Sequence, residues 1–368
     1  MKYWRGYLVA AILAVISGAL VAFSKAHAAL VDMIYPYMSK TLVSSLAEWS
    51  SGASFCVWNV VVLTLVVILL VSIILMFLLR WNAIQCIGWI LAVITLLNLT
   101  STLLFGLNAH TGDLADDIRL EITEYSVSEL NEATLYFRDC ANELAESIKR
   151  SGGDPSFGSF EAMAKQAGAG FEVLAYEDAI SVFSGSTAPV KKQSLSGALS
   201  KTYPLTGECV VDPDAPDLAM PFIMCAEMAR RMSIYDGEDS KFAAFLACME
   251  NPDPNFQYTA YCMAYYFCYS AIKQIPTSTA KSCVKEIESG ASKLLKNDVR
   301  LCQQVYGTLY KGRDDTDVAD LLTSWYIQNF ITPLHEEEDV PFDPLDSTQV
   351  DIKYQAPTPT PLPEKKDG

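Results

Sequence analysis

Two long apolar runs without a charged side chain, residues 57–79 and 83–107, constrain this chain more than anything else in it. They contain 23 and 25 residues, and about 20 suffice for a helix to cross the hydrocarbon core of a bilayer. In lipid an open backbone satisfies its polar groups only as a helix, so both runs are predicted to be transmembrane helices. Only Arg80, Trp81 and Asn82 separate them, which makes the pair a hairpin with that Arg and Trp at one interface. Asn98, Thr100, Ser101 and Thr102 in the second run are read first as ordinary residues of a span and second as hydrogen-bonding groups toward a neighbouring helix. A third run, residues 7–23, follows Lys2 and Arg5 and precedes Ala26-His27-Ala28, a small-x-small pattern of the kind signal peptidases cut. Its 17 residues exceed a usual signal core, so an uncleaved span is the first reading and cleavage the competing one.

Charge sets orientation and organisation. Residues 1–110 hold five bases (Lys2, Arg5, Lys25, Lys40, Arg80) and two acids (Asp32, Glu48). The other 258 residues hold 22 of the 27 bases and 41 of the 43 acids, net −19. With Lys2, Arg5 and Arg80 kept in the cytoplasm, residues 25–55 and everything beyond the last span lie outside. An acidic portion of this size excludes nucleic acid as a partner. The expected protein is an integral protein of the plasma membrane: a transmembrane region over residues 1–110, an extracytoplasmic domain over 111–332 and a disordered tail over 333–368. That tail runs from acids into Pro357-Thr-Pro-Thr-Pro-Leu-Pro363, a composition that buries no core.

Most of the acidic portion reads as helix. Ser126-x-x-Glu129 is a capping box, and Leu130, Ala133, Phe137, Ala141, Leu144 and Ile148 then share one helical face up to Arg150. Further helices are predicted at 160–179, 221–233, 240–249, 255–275, 279–295 and 316–331, with a loop at 184–200 rich in Ser, Gly and Lys. The β-branched run from Leu205 to Asp212 is the best strand. Eight cysteines lie here, read mainly as small core residues, with Cys283 and Cys302 the first pair to consider for a disulfide.

The segment Cys225-Ala-Glu-Met-Ala-Arg-Arg231 resembles the catalytic helix of an uncharacterised bacterial family of multi-pass membrane proteins with zincin-like metallopeptidase ectodomains. In that family the stretch reads Cys-His-Glu-x-Ala-His-Arg. Tyr35-Pro36, Tyr125-Ser-Val-Ser-Glu-Leu130, Pro189-Val-Lys-Lys192, Leu205-Thr-Gly-Glu208, Phe242-Ala-Ala-Phe-Leu-Ala-Cys248, Phe256-Gln-Tyr258 and Asp317-Val-Ala-Asp-Leu-Leu322 also look like family segments. The resemblance thus covers about 31–332 and implies a membrane α-helical region followed by a mainly helical α+β zincin-like domain.

Two histidines at i and i+4 of a helix hold zinc from one face while the glutamate between them activates the bound water. Here the first position is Ala226 and the second Arg230; alanine offers no donor atom and arginine no lone pair. The base position, Glu227, is retained, and Asp239 or Glu238 stands at the downstream acid position. The chain's three histidines, His27, His110 and His335, lie elsewhere. The chain is therefore expected to hold no zinc and no other cofactor, and Glu227 to pair with Arg230 or Arg231.

The first functional reading is a catalytically inactive zincin-like homologue, a pseudoenzyme that binds a peptide or protein partner. Its cleft and edge strand would involve Leu205, Thr206, Gly207, Glu208 and Tyr258, the partner's chain adding as a strand. A structural or interaction protein of the cell envelope is the alternative. A working peptidase with a metal site rebuilt from Cys209, Cys225, Cys248 and Asp239 comes last. Tyr258 and Tyr261 resemble the hydrogen-bond donors of such peptidases, but sit in an aromatic run that reads first as core.

Overall fold

The computed structural model describes residues 4–79, 82–309 and 316–332. Arg80, Trp81, His335 and the tail from 333 lie outside the described residues. Among the described residues, three helices are long and apolar enough to cross a membrane: α1 (Arg5–Ala26), α3 (Val57–Leu78) and α4 (Ala83–Leu104). Between the first two lies α2 (Ala28–Ser51), so the segment read as an outer loop is a helix of 24 residues. His27, in a non-helical conformation, is the break between α1 and α2.

α1 and α4 pack in parallel. A methyl group on Gly6 would lie 2.4 Å from the backbone carbon of Gly88, Ala10 and Ala92 are buried, and Ser17 Oγ donates to Asn98 Oδ1 at 3.3 Å. Small residues four apart on each helix allow this approach. Asn98 is therefore an interhelical group, while Thr100 and Thr102 bond the carbonyls of Leu96 and Asn98 in their own helix. α3 runs between them in the chain and buries none of its residues. Parallel α1 and α4 place both their C-termini at the same end of the pair.

A 3-10 turn (Gly106–His110) and the short α5 (Leu114–Asp117) lead into α6 (Val127–Ala145), which opens on the predicted capping box with both of its hydrogen bonds formed. The hairpin β1 (Arg150–Ser151) with β2 (Asp154–Pro155) follows. The stretch 160–179 is two helices, α7 (Phe160–Gln166) and α8 (Gly168–Tyr176). α8 brings Gly170 so near a later helix that a methyl there would sit 1.7 Å from Ala247 O. Three strands form one sheet: β3 (Lys191–Lys192), β4 (Ser200–Tyr203) and β5 (Glu208–Val211), in the order β3-β5-β4, parallel then antiparallel.

α9 (Met220–Arg231) and α10 (Gly237–Met249) precede α11 (Pro254–Gln274), which is buried almost all round and packs on α6, α9, α10 and the three helices after it. These are α12 (Ser278–Gly290), α13 (Lys293–Leu309) and α14 (Thr316–Tyr326). The single helix predicted at 279–295 ends at Gly290, and Ser292 Oγ accepts from Leu295 N at 3.1 Å to start the next. The observed architecture is thus mainly helical, with a small sheet and apolar helices at the N-terminus.

Candidate functional site

α9 begins with Pro221 in its first turn and ends with Arg230 and Arg231, residue types that suit the two ends of a helix. Ala226 and Arg230 are half-buried and, four residues apart, share one face. Neither can hold a metal, since one has no donor atom and the other no lone pair. Glu227 is only 5% exposed, and both its oxygens are engaged by β4. Ser200 Oγ donates to Oε1 at 2.7 Å, and Thr202 Oγ1 donates to Oε2. Cys209 Sγ on β5 donates to the Glu227 carbonyl at 3.1 Å. The carboxylate therefore fastens α9 to the sheet.

The expected ion pair with Arg230 or Arg231 is not formed. Arg231 points the other way, fully buried, and its Nη2 donates to Ser186 O and Ala188 O at 2.7 Å each. Arg230 lies beside the start of α10, its Nη2 3.9 Å from where a Gly237 Cβ would be. The two hydroxyls on β4 supply the stabilisation that a cation was expected to give, and they need no desolvated charge.

Asp239, in the first turn of α10, is buried and accepts from Leu114 N at 2.9 Å. Asp113 and Asp236 each bring a carboxylate oxygen within 4.8 Å of it and of each other. Burial first, then the charges of Asp113, Asp236 and Glu238, push the Asp239 carboxyl up to about 6, against the pull of the Leu114 amide. Zinc held by a helix pair does not fit these residues. The two ligand positions on α9, Ala226 and Arg230, contribute no donor, Glu227 is turned into β4, and Asp239 stands among carboxylates. Nor do the thiols rebuild a site with it. Cys225 Sγ lies 3.6 Å from Cys248 Sγ, and Cys209, its thiol pushed up to about 11 by burial, is bonded to α9 instead. Among the described residues, the trio of acid, thiol or imidazole side chains that converges to ligand distance is the three aspartates.

The remaining candidate residues are consumed by packing. β5 is the central strand of its sheet, so Leu205–Val211 is not an edge; β4 is. Gly207, at φ +67°, meets α2 so closely that a methyl would lie 2.3 Å from Ala47 N and 2.4 Å from Val43 O. Thr206 is buried beside it, and Leu205 is half-buried. Glu208 accepts from Val57 N at 2.7 Å and Trp58 N at 2.8 Å, the free amides at the start of α3. It also pairs with Lys191 at 2.7 Å. Lys191 Nζ in turn donates to Ser50 O at the end of α2 and to Phe55 O. An anion thus sits at the N-terminus of one helix and a cation at the C-terminus of another, each where the helix dipole favours it. Burial opposes ionisation of Glu208, but Lys191 and the two amides overcome it and hold the carboxyl below its usual range.

Tyr258, wholly buried, donates to Asp298, which also takes a bidentate pair from Arg150 at 2.9 and 2.8 Å. Tyr261 packs edge-on against Tyr136 and Phe245. Both belong to the core. All ten cysteines are free thiols, and Cys302 neighbours Cys262 rather than Cys283. Sequence reasoning missed Lys191, Asp113 and the Arg150–Asp298 pair. The one available signal was an acid, Glu208, inside a buried β-branched run, which demands a partner.

No curated protein and no solved structure matches the chain. One family profile, described as protein of unknown function (DUF3810), matches residues 31–320. The match takes in most of α2, all of α3 and α4, the sheet and α9, and leaves the whole of α1 outside. Spanning well over half of the chain, it shows that the chain belongs to this uncharacterised family of unknown function.

Proposed function

We propose that this chain is a membrane-anchored protein without peptidase chemistry, a structural or interaction protein whose C-terminal part lies outside the cytoplasm. The observation that carries this is the state of Glu227. A general base needs a lone pair aimed at a water or substrate, and both Glu227 oxygens are taken by Ser200 and Thr202 at a buried site. The likeness of α9 to a zincin-like catalytic helix is then a matter of ancestry, the helix serving as scaffold between the sheet and α10. The orientation rests on Lys2, Arg5 and Arg80 as the cytoplasmic charges.

A peptide-binding pseudoenzyme is the second reading, and β4 is what favours it. As the outer strand, with Lys201 exposed, β4 rather than the Leu205–Val211 segment would receive an added strand.

Elemental analysis of the purified full chain tests the first reading, with an Ala226→His plus Arg230→His chain alongside. The natural chain is expected to carry no stoichiometric zinc, whereas about one zinc per natural chain would overturn the proposal. Zinc bound only by the double variant supports the zincin-like ancestry of α9, and no zinc in either removes that ancestry.

A further inference from the structure

Each of the three charged residues of α2 bonds the C-terminal part, although Asp32 and Glu48 remain exposed. Asp32 Oδ1 accepts from Gly112 N at 2.7 Å, Lys40 Nζ donates to Ser181 O at 2.8 Å, and Glu48 accepts from Ser186 Oγ. On the same side Val31, Tyr35, Ser39, Val43, Ala47 and Ser50 are buried at intervals of one helical turn. The opposite side begins with Leu30, Met33, Ile34 and Tyr37, spaced i, i+3, i+4 and i+7, with Met33 72% and Tyr37 73% exposed. The apolar surface continues along the flank through Met38, Leu42 and Trp49. A helix lying on a soluble protein carries charges on its outer face, and the outer face formed here by Leu30, Met33, Ile34 and Tyr37 carries none.

What meets that face follows from where α2 is held. Its N-terminus is one residue from the end of α1, and its C-terminus leads within six residues to the start of α3. In between, Tyr35 Oη donates to Thr102 O and Leu103 O, and Ser39 Oγ to Leu104 O at 2.6 Å. These are the last carbonyls of α4. Three candidate spans thus fix α2 at the level where they leave the bilayer, with its charges bonded to protein and its exposed apolar residues, two aromatic ones included, turned away.

We propose that the outward face of α2 lies in the headgroup–acyl boundary of the bilayer, so that the C-terminal part is held flat against the membrane. Amphipathic helices bind lipid in this way, with aromatic side chains at headgroup level. The proposal rests on the reading that α1, α3 and α4 span the membrane.

The full chain is reconstituted in phosphatidylcholine vesicles with a fluorescent amino acid in place of Met33, of Tyr37 or, as the reference within a span, of Leu70 in α3. Lipids brominated along the acyl chain are expected to quench the probe at all three positions at least about twofold, and aqueous iodide to leave it nearly unchanged. Iodide quenching at 33 and 37 places the face in water and overturns the proposal. Silence toward both quenchers there places it under protein, a second copy for instance, and overturns it equally. If position 70 also escapes the brominated lipid, the spanning reading has failed; if 70 is quenched and 33 and 37 are not, only the proposal for α2 has.

Discussion

Replacing Glu208 by Gln weakens one of the ties between the C-terminal part and the membrane helices. The carboxylate serves Val57 N, Trp58 N and Lys191 Nζ at once, all within 2.8 Å, and its side chain is 1% exposed. Removing one partner of a fully buried ion pair costs about 3–5 kcal/mol. Lys191 is 13% exposed and keeps Ser50 O and Phe55 O, while the new amide still offers one acceptor, so about 3 kcal/mol is expected. For a folded part of this size that lowers the melting temperature by about 6–12 °C. Thermal unfolding of the full chain in detergent, followed by tryptophan fluorescence, reads it, because Trp58 stacks on Tyr203 at 5.3 Å beside the substituted residue. The folded-state carboxyl is depressed, so its contribution is complete above the ordinary glutamate range and fades as pH falls through the depressed value. The gap between natural chain and variant should therefore close in acid. A change below about 0.5 kcal/mol at neutral pH, the size of an ordinary surface effect, would refute the capping role.

Two further substitutions test the corrected site. Asp239→Asn keeps an acceptor for Leu114 N but removes a carboxylate whose folded-state value is raised to about 6. A raised acid binds its proton more tightly in the folded state, so its ionisation destabilises the fold as pH climbs from about 4 to about 6, and the loss then levels off. The variant should be more stable than the natural chain by about 3 kcal/mol at pH 7.5 and equal to it near pH 4 in melting experiments; a less stable variant, with a natural chain sensitive to chelator, would mean that the three aspartates hold a cation. Tyr258→Phe should cost about 1–3 kcal/mol in urea unfolding, since it strips a donor from the buried Asp298, whereas a residue waiting for substrate would be lost without that cost.

The membrane helices were legible because charge-free runs of that length have no other home. α6 was legible because a capping box and a 3.6-residue pattern agreed. α2 was not: its apolar residues divide between a stripe buried by protein and a stripe left outside, and Pro36 interrupts the run. β3 and β4 are two and four residues long and lie within or at the end of a Ser- and Lys-rich loop, where no alternation can be counted. At the site, the i and i+4 positions on α9 could be read directly, and so could the absence of donors there. The direction of Glu227 could not, because its partners Ser200 and Thr202 lie 27 and 25 residues upstream, on a strand hidden from pattern reading. The tie of Glu208 to Val57 spans 151 residues, a distance over which local sequence carries no information. The break after Gly290 is different, since Gly290 and Ser292 are ordinary stop and start signals that the apolar period at 279–295 overrode.

The role of Glu227 is decided by the stability of Glu227→Ala, measured by denaturant unfolding of the full chain beside Ser200→Ala plus Thr202→Val and the combination of all three. Loss of about 2–4 kcal/mol in Glu227→Ala, with little further loss in the combination, is the outcome for a carboxylate that fastens α9 to β4. A Glu227→Ala chain as stable as the natural one, or more so, as when a strained catalytic group is removed, would contradict the structural role and reopen the question of chemistry.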